Sequence, residues 1–306
     1  MKGALFATKE AKPFLKWAGG KGQLLDEIGT WLPAEMKYGK VKTYVEPFVG
    51  GGAVFFYIAQ RYEGIEHFIL NDVNEDLIQC YKMVQSRVND LIKILKEYQK
   101  KYTSLSEEKR KDFYLQVRKE FNKEKTAGFS ERTAAQLIFL NRTCFNGLYR
   151  VNRKGFFNVP FGRYKNPAIC QEDNLKAASA LLQKAVLLCG DFEECRRFTD
   201  KGVFYYLDPP YRPISRTAAF TSYAKDDFSE EDQIRLAFFC RQIHQKGAKF
   251  LLSNSDPKNE NPHDHFFEDH YSDFSIERVK AARAINCKGD KRGQINEIIV
   301  TNYQKG

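Results

Sequence analysis

An acidic residue followed by two prolines and a tyrosine, Asp208-Pro209-Pro210-Tyr211, is the segment best suited to chemistry. The apolar run Val203 to Leu207 precedes it and predicts a strand, so the acid would stand at the carboxyl end of a sheet, where open α/β folds bind ligands. Proline fixes φ and has no N–H, which leaves the Pro209 carbonyl rigid and available as an acceptor. With the Asp208 carboxylate it could accept both hydrogens of an exocyclic NH2 group, and Tyr211 offers a ring on which a base can stack.

A glycine-rich turn near the start of the chain is the second candidate site. Thr43 to Phe48 predicts a strand, and Val49-Gly50-Gly51-Gly52 follows it. Three glycines allow close approach of the backbone to a ligand, and the helix predicted from Ala53 would favour an anionic group at its start. Asp72 ends the next predicted strand, at about the separation at which an acid bonds a ribose hydroxyl. The spacing is not G-x-G-x-x-G, which disfavours NAD.

A second turn, Phe14 to Gly22, carries an aromatic residue, Trp17, and a lysine, Lys21. It lacks the G-x-x-x-x-G-K spacing and the Ser or Thr of a phosphate-binding P-loop. Two such turns indicate a small ligand with an anionic end and a ribose, and S-adenosylmethionine has both. Asp208 bonded to an amine would hold the nitrogen lone pair toward the methyl sulfonium, so that catalysis is mostly positioning and electrostatics.

The elements that must position these residues follow the order strand, turn, helix, strand, which begins a doubly wound α/β sheet. From about Glu75 to Lys184 the pattern is helical; Asn89 to Lys101, for example, has one apolar stripe. Ser229 and Asp232 predict a capping box for a helix from Glu230 to Lys246. Strand patterns return at Ala185 to Leu188, Val203 to Leu207, Lys249 to Leu252 and Ile295 to Thr301. We therefore predict one α/β domain over 1–75 and 185–306, split by a mostly helical insert over 76–184.

The charge of the chain points to a polyanionic partner. Its 306 residues include 49 Lys and Arg against 39 Asp and Glu, a net charge of +10, although a solvated basic surface gives the same total. Basic and aromatic side chains alternate within one segment, which suits phosphate contact and base stacking. Its members are Arg142, Phe145, Tyr149, Arg150, Arg153, Lys154, Phe156, Phe157, Phe161, Arg163, Tyr164 and Lys165. Lys288, Lys291 and Arg292 form a second basic cluster.

Composition excludes several classes of protein. No window approaches the ~18 apolar residues of a membrane span and no leader pattern is present, so we expect a soluble cytoplasmic protein. The seven cysteines are scattered without C-x-x-C spacing and predict buried, reduced thiols. His263, His265 and His270 lie near Asp264 and Asp269, but a solvated loop is the simpler interpretation and we predict no metal site.

The combination of motifs resembles the S-adenosylmethionine-dependent DNA adenine-N6 methyltransferases of the Dam and DpnII type (the D12 class). These enzymes carry F-x-G-G-G near the start and D-P-P-Y after an intervening DNA-recognition domain. The resemblance covers nearly the whole chain and implies a Rossmann-like methyltransferase fold. The matching segments, in family order, are Lys16 to Lys21, Asn71-Asp72, Phe145 to Arg150, Phe157 to Tyr164, Gly190-Asp191-Phe192 and Leu252-Ser253-Asn254.

The resemblance implies roles for individual residues. Around S-adenosylmethionine it places Trp17, Lys21, Phe48, Gly50, Gly51, Gly52, Asp72, Asp191, Phe192 and Asp208. Asp208, Pro209, Pro210 and Tyr211 would serve a target adenine flipped out of the duplex. Arg150 would read the guanine of GATC. Asn146, Leu148 and Pro160 would touch the other bases, Phe145 would wedge into the duplex, and Lys16 and Arg163 would support DNA binding.

The same resemblance implies that the partner is double-stranded DNA. It favours a monomer and is compatible with a cognate restriction endonuclease that acts separately. Cytosine-C5 methylation needs a cysteine nucleophile presented after a proline, and no Pro-Cys pair exists. Cytosine-N4 enzymes typically have Ser where this chain has Asp208, and protein glutamine methyltransferases have Asn there. A catalytically silent DNA-binding protein with this fold is the alternative from another class. Arg212 to Phe228 is predicted to be either a surface loop or a lid that orders on DNA.

Overall fold

A computed structural model describes residues 10–212, 228–282 and 294–305. The chain divides into two compact units. The first, called here the helical unit, comprises Met1–Gly20, Gly50–Arg61 and Asn74–Cys189. The second, called here the sheet unit, comprises Lys21–Val49, Tyr62–Val73 and Gly190–Gly306. The domain limits at residues 75 and 185 stay a prediction.

Seven strands and ten α-helices are present in the described residues. The strands are β1 (Thr43–Glu46), β2 (His67–Asp72), β3 (Ala185–Cys189), β4 (Val203–Leu207), β5 (Lys249–Ser255), β6 (Ser275–Ala282) and β7 (Gln294–Thr301). The helices are α1 (Leu25–Trp31), α2 (Ala34–Lys37), α3 (Ala53–Arg61), α4 (Glu75–Ser86), α5 (Val88–Ser104), α6 (Glu107–Glu124), α7 (Glu131–Thr143), α8 (Glu172–Leu182), α9 (Glu230–Gln245) and α10 (Phe266–His270). The predicted α/β class is confirmed.

The sheet unit is built on strands hydrogen-bonded in the order β2-β1-β4-β5-β7-β6. The pairs β1–β2, β1–β4 and β4–β5 are parallel, and β7 is antiparallel to both β5 and β6. All five residues of β4 are buried. This is expected for a central parallel strand that is covered on both faces, because the sequence of such a strand is a continuous apolar run. The acid and tyrosine that follow β4 are therefore attached to the most rigid part of the sheet.

Local signals locate several elements of this unit correctly. The Ser229 hydroxyl accepts from the Asp232 backbone N–H and the Asp232 carboxylate accepts from that of Ser229, so the predicted capping box begins α9. The strand predicted over Thr43 to Phe48 ends earlier, at Glu46, because Pro47 has no N–H for the ladder. Strand β6 was not predicted, because its segment mixes charged residues with apolar ones, as edge strands do.

In the helical unit α4, α5 and α6 pack against α7, of whose 13 residues ten are buried, and α8 packs against α4 and α5. Aromatic rings fill the space beside α7: Phe139 lies 5.2 Å from Phe113 and 5.3 Å from Tyr98, centroid to centroid. The stripe predicted on α5 contributes the buried Leu91, Ile92 and Leu95. This core supports the basic and aromatic segment that follows α7.

Two expectations from composition can be compared with the structure. Among the described residues, no helix is long and apolar enough to cross a bilayer. The prediction of buried thiols is right for Cys80, Cys144, Cys195 and Cys240. It is wrong for Cys189, which is exposed where β3 ends, and Cys170 is half-buried. Cys287 lies outside the described residues.

Candidate active site

The centre of the sheet unit's site is an ion pair at the exit of β4. The Lys21 ammonium lies 2.7 Å from Oδ1 of Asp208 and donates to the Tyr211 hydroxyl, also at 2.7 Å. Its nitrogen lies 4.7 Å from the centroid of the Tyr211 ring. Three residues that the sequence placed at the cofactor and the target base are thus in direct contact, although Lys21 precedes Asp208 by 187 positions.

A second carboxylate, Glu297 on β7, lies on the other side of Lys21. Its Oε1 accepts from the Tyr211 hydroxyl at 3.1 Å, and its Oε2 is 4.0 Å from Lys21 Nζ. Ser253 on β5 donates to Asp208 Oδ1 at 3.2 Å and lies 3.1 Å from the Tyr206 hydroxyl. The site therefore holds one ammonium between two carboxylates, in surroundings that expose Lys21 by only 4%.

Burial and neighbouring charges shift the pKa values of these groups. Burial alone lowers the pKa of Lys21, but the nearby Asp208, Tyr211 and Glu297 outweigh it and raise that pKa above its usual range. Burial raises the pKa of Asp208 and of Glu297, and Lys21 opposes the rise in both. Burial also raises the pKa of Tyr211 to about 12. At neutral pH Lys21 is charged and the tyrosine keeps its proton, so Tyr211 can donate to Glu297.

Of the two prolines of this site, Pro209 is buried and Pro210 is exposed. The Pro210 carbonyl accepts from Gln233 Nε2 at 2.9 Å, and Asn254 Nδ2 donates to Gln233 Oε1 at 3.3 Å. Gln233 on α9 and Asn254 on β5 are both fully buried. These amide hydrogen bonds fix the backbone that follows Asp208. Gln233 lies in α9, one turn after the capping residue Ser229.

The other predicted cofactor residues of the sheet unit surround the ends of β1 and β2. The Phe48 ring packs 5.5 Å from that of Phe192 and 5.5 Å from that of Phe228. Asn71 donates from Nδ2 to the carbonyls of Pro47 and Gly190, at 3.0 Å each, and its buried Oδ1 has no hydrogen-bond partner among the described residues. Such an orphaned acceptor at the ends of parallel strands suits a site that a polar ligand completes.

Asp72 and Asp191 lie near this point and have further contacts. The Gly190 N–H donates to the Asp72 carbonyl at 3.2 Å, which ties the two strand exits together. Asp191 Oδ1 accepts from the Glu193 backbone at 2.9 Å and from Arg235 at 3.0 Å. Asp191 is therefore held in place by its own turn and by α9.

In the helical unit the three glycines pack against aromatic side chains. Gly50 has φ +48° and Gly52 φ +72°, values that favour glycine. A Cβ on Gly50 would lie 3.0 Å from Trp17 Cδ1, and one on Gly52 would lie 2.5 Å from the Tyr81 hydroxyl. That hydroxyl donates to the Gly50 carbonyl at 3.1 Å. The glycines thus have a packing role besides the ligand role expected of them.

Trp17 is fixed by a residue that the sequence only grouped with aromatics, Tyr149. Their rings are stacked with centroids 5.1 Å apart. The Tyr149 hydroxyl donates to Asp76 Oδ2 at 2.6 Å, and Lys125 Nζ is 2.5 Å from the same oxygen. Asp76 and Lys125 form a nearly buried pair, with side chains 11% and 12% exposed.

The predicted DNA-recognition residues of the helical unit lie on one hairpin and the turn before it. Arg150 Nε donates to Asn158 Oδ1 at 2.7 Å, and the Asn158 N–H donates to the Arg150 carbonyl. Phe145 is 52% exposed although large and apolar, and its N–H bonds the exposed Pro160. The remaining predicted contacts, Asn146, Leu148 and Arg163, are also exposed on this segment.

Lys16 is joined to the same segment through its backbone. Its N–H donates to Asn141 Oδ1 at 2.7 Å, and Asn141 Nδ2 donates to the carbonyls of Lys16 and Gly147, at 2.9 Å each. The Lys16 ammonium lies 5.2 Å from the Tyr164 ring centroid. One buried asparagine therefore holds Lys16 against the turn that carries Phe145 and Asn146.

Three anchors of the hairpin were missed by sequence analysis. Tyr102 donates to the Tyr164 carbonyl and Tyr114 to the Val159 carbonyl, both at 2.7 Å. Asn122 forms two bonds with the Phe157 backbone, at 2.7 Å and 3.0 Å. Tyr102 and Tyr114 are fully buried on α5 and α6. In the sequence, their spacing is that of ordinary core residues of an amphipathic helix.

Glu297 and Gln233 were also missed as parts of the active site, and Ser253 was named only within a segment that matches the family, without a role. Glu297 had a signal, because it is a lone acid in the apolar run of β7. The suspected metal loop contains other interactions: Asp264 is 2.5 Å from Arg212, and the His270 ring lies 4.5 Å from Phe266. The part of the chain that the structure describes has no cluster of three or more His, Cys, Asp or Glu able to hold a metal ion. Residues 213–227 of the lid predicted over Arg212 to Phe228 lie outside the described residues, as do Lys288, Lys291 and Arg292.

A mixed α/β sheet with an acid, two prolines and a tyrosine after its central strand is the arrangement of a Rossmann-like methyltransferase. A family model described as D12 class N6 adenine-specific DNA methyltransferase matches residues 17–285. The chain therefore belongs to this family, as the sequence motifs predicted, and is an adenine-specific DNA methyltransferase.

Individual relatives agree with the family assignment. The chain is 53% identical over 295 residues to the type II methyltransferase M.MjaIII of Methanocaldococcus jannaschii, covering 96% of this chain and 100% of the relative. It is 39% identical to M1.LlaDCHI of Lactococcus lactis subsp. cremoris, with 95% of each chain covered. It is 38% identical to the DNA adenine methylase of Haemophilus influenzae, covering 94% of this chain and 92% of the relative.

Proposed function

We propose that this enzyme transfers a methyl group from S-adenosylmethionine to N6 of adenine within GATC in double-stranded DNA, by flipping the base and transferring the methyl group directly. The observation that carries the proposal is the cluster of Lys21, Asp208 and Tyr211 at the exit of β4. Asp208 already accepts a hydrogen bond from a nitrogen there, and Tyr211 supplies a ring beside it. An exocyclic amine needs the same acceptor.

Asp208 and the Pro209 carbonyl would accept the two hydrogens of the adenine amine. Gln233 occupies the Pro210 carbonyl and thereby fixes the turn, which supports a rigid placement of the Pro209 carbonyl. With both hydrogens held, the nitrogen lone pair points out of the base plane. The aromatic face of Tyr211 would stack on the base, whose extrusion leaves a gap in the duplex that Phe145, exposed at a turn, has the shape to fill.

S-adenosylmethionine would supply an activated methyl group, whose sulfonium needs no metal ion as activator. In the sheet unit we assign its binding to Lys21, Phe48, Asp72, Asp191 and Phe192. The unpartnered Asn71 Oδ1 supports a polar ligand at this place. In the helical unit we assign Trp17 and the three glycines, because a turn without side chains before the start of α3 suits a carboxylate.

Recognition of GATC would rest on the hairpin of the helical unit. Arginine pairs with the O6 and N7 of guanine through two parallel hydrogen bonds. Arg150 is suited to this because its Nε and Nη2 both bond to Asn158, which fixes the guanidinium at an exposed place on the hairpin. Leu148 and Pro160 are exposed apolar surfaces for neighbouring bases.

The test is an assay with the cofactor and two duplexes, one containing GATC and one with a single base of that site changed. N6-methyladenine, measured by mass spectrometry, should appear on the GATC duplex alone. Product on both duplexes equally would contradict the specificity, and product on neither would contradict the enzyme activity. The base analogue 2-aminopurine at the target position should gain fluorescence if the base leaves the stack.

The substitution Asp208→Asn tests the role assigned to the Asp208 carboxylate. The carboxamide keeps the shape but loses the charge, so transfer should fall by about 10²–10³-fold or more while binding to the duplex persists. Asp273→Asn is the matched control, because Asp273 is an exposed acid of the same unit. Equal activity of the Asp208 variant and this control would refute the assigned role.

A further inference from the structure

Glu297 is the one carboxylate of the active site that the proposed reaction leaves without a role. It is 8% exposed on β7, and the two residues that follow it, Ile298 and Ile299, are themselves buried. Burying a carboxylate is costly unless partners compensate it. The partners here are the Tyr211 hydroxyl at 3.1 Å and the Lys21 ammonium at 4.0 Å.

The distance from Lys21 to Glu297 is too long for a hydrogen bond but short enough for attraction. Lys21 uses two of its three N–H donors on Asp208 and Tyr211. A movement of about 1 Å toward Glu297 would bring its nitrogen within the range of a charge-assisted hydrogen bond. Glu297 is thus a second, unfilled acceptor for the same ammonium.

The position of Lys21 overlaps with one place where the amine of a target base could bind. Its nitrogen occupies Asp208 Oδ1, which Ser253 also contacts, and lies 4.7 Å from the centre of the Tyr211 ring. An oxygen with two lone pairs has no room for a further donor once both are used. A base amine that takes the place of Lys21 on Oδ1 must therefore displace the ammonium.

A displaced ammonium in so buried a site needs another anion. Without one, moving Lys21 off Asp208 leaves a buried positive charge with no anionic partner, which opposes binding of the base. We propose that Glu297 is a positioning residue that receives the Lys21 ammonium when the target amine takes its place on Asp208. Through its bond to the Tyr211 hydroxyl, Glu297 also keeps the stacking ring in position during this exchange.

This inference rests on the proposed function and makes a separate prediction. Glu297→Gln keeps the acceptor for Tyr211 but removes the charge that would hold Lys21. The measured quantity is the ratio of two dissociation constants, with S-adenosylhomocysteine present: for a GATC duplex with adenine at the target, and for one with an abasic site there. The abasic duplex brings no base, so it leaves Lys21 on Asp208.

We expect the variant to bind the adenine duplex about tenfold more weakly than the parent, and the abasic duplex within about twofold of it. Glu277→Gln, on the neighbouring strand β6 and exposed, is the matched control and should change neither. An unchanged ratio in the Glu297 variant, or equal weakening on both duplexes, would overturn the proposal. A purely structural role for Glu297 would weaken both duplexes alike.

A second comparison tests the same pairing from the side of Lys21. Lys21→Met removes the ammonium, so a receiving carboxylate is no longer needed. The ratio should then be the same in Lys21→Met and in the double variant Lys21→Met/Glu297→Gln, whereas a difference between them would count against the inference. If the parent enzyme methylates GATC and these ratios behave otherwise, the proposed function stands and only the role of Glu297 fails.

Discussion

Arg150 and Asn158 face each other across a hairpin and are joined by three hydrogen bonds. Arg150 donates from Nε to the Asn158 side chain and from Nη2 to the Asn158 carbonyl, and the Asn158 N–H donates to the Arg150 carbonyl. The contact restricts a long, flexible side chain before any DNA is present. Preorganisation of this kind lowers the conformational entropy lost on binding.

Arg150→Ala should reduce discrimination at the guanine by about 1–3 kcal/mol, because the paired bonds to O6 and N7 are lost. The measurement is kcat/KM on GATC relative to a duplex with that guanine replaced. Lys165→Ala is the control: it is an exposed cation of the same segment, so it should weaken all duplexes equally. Asn158→Ala should fall between the two. Full discrimination in Arg150→Ala would show that another residue reads the guanine.

The pair of Asp76 and Lys125 should matter for the stability of the helical unit. Asp76→Ala leaves a nearly buried ammonium without its partner, so the free energy of unfolding should fall by about 3–5 kcal/mol, measured by urea denaturation. Asp90→Ala breaks the exposed pair with Lys93, and the change there should be below about 1 kcal/mol. Similar losses in both variants would mean that burial of the first pair is overstated.

Two glycines with similar backbone angles allow the cost of backbone strain to be measured apart from the cost of steric crowding. Gly155 has φ +76° and an open surrounding, so Gly155→Ala should cost about 1–2 kcal/mol for the left-handed backbone alone. Gly52, at φ +72°, would in addition place a Cβ 2.5 Å from the Tyr81 hydroxyl. Gly52→Ala should therefore lower the melting temperature by more than Gly155→Ala does. The reverse order would contradict the close packing of Tyr81.

Sequence patterns predict those parts of the fold that depend on neighbours in the chain. The apolar run of β4 and the capping box at Ser229 are local, and both were found. Strand β6 was missed because its pairing with β7 depends on register rather than on its own residues. The same limit applies to the site: Tyr211 and Glu297 are 86 positions apart and meet only because β7 joins the sheet beside β5.

The roles of hydrogen-bonding groups inside helices were harder to predict. A tyrosine within an amphipathic helix, such as Tyr114 on α6, has the pattern of core whether or not its hydroxyl binds a distant carbonyl. Glu297 could have been singled out, since an acid within a buried strand needs a partner. The identity of that partner follows only from the three-dimensional structure.

The anchors of the hairpin bind main-chain atoms rather than side chains. Tyr102, Tyr114 and Asn122 hold the carbonyls of Tyr164, Val159 and Phe157. Every residue type has a backbone carbonyl, so these bonds place little demand on which side chains the hairpin displays. Target preference and folding are therefore separable properties of this segment, and an altered reading surface can evolve, or be engineered, on an unchanged frame.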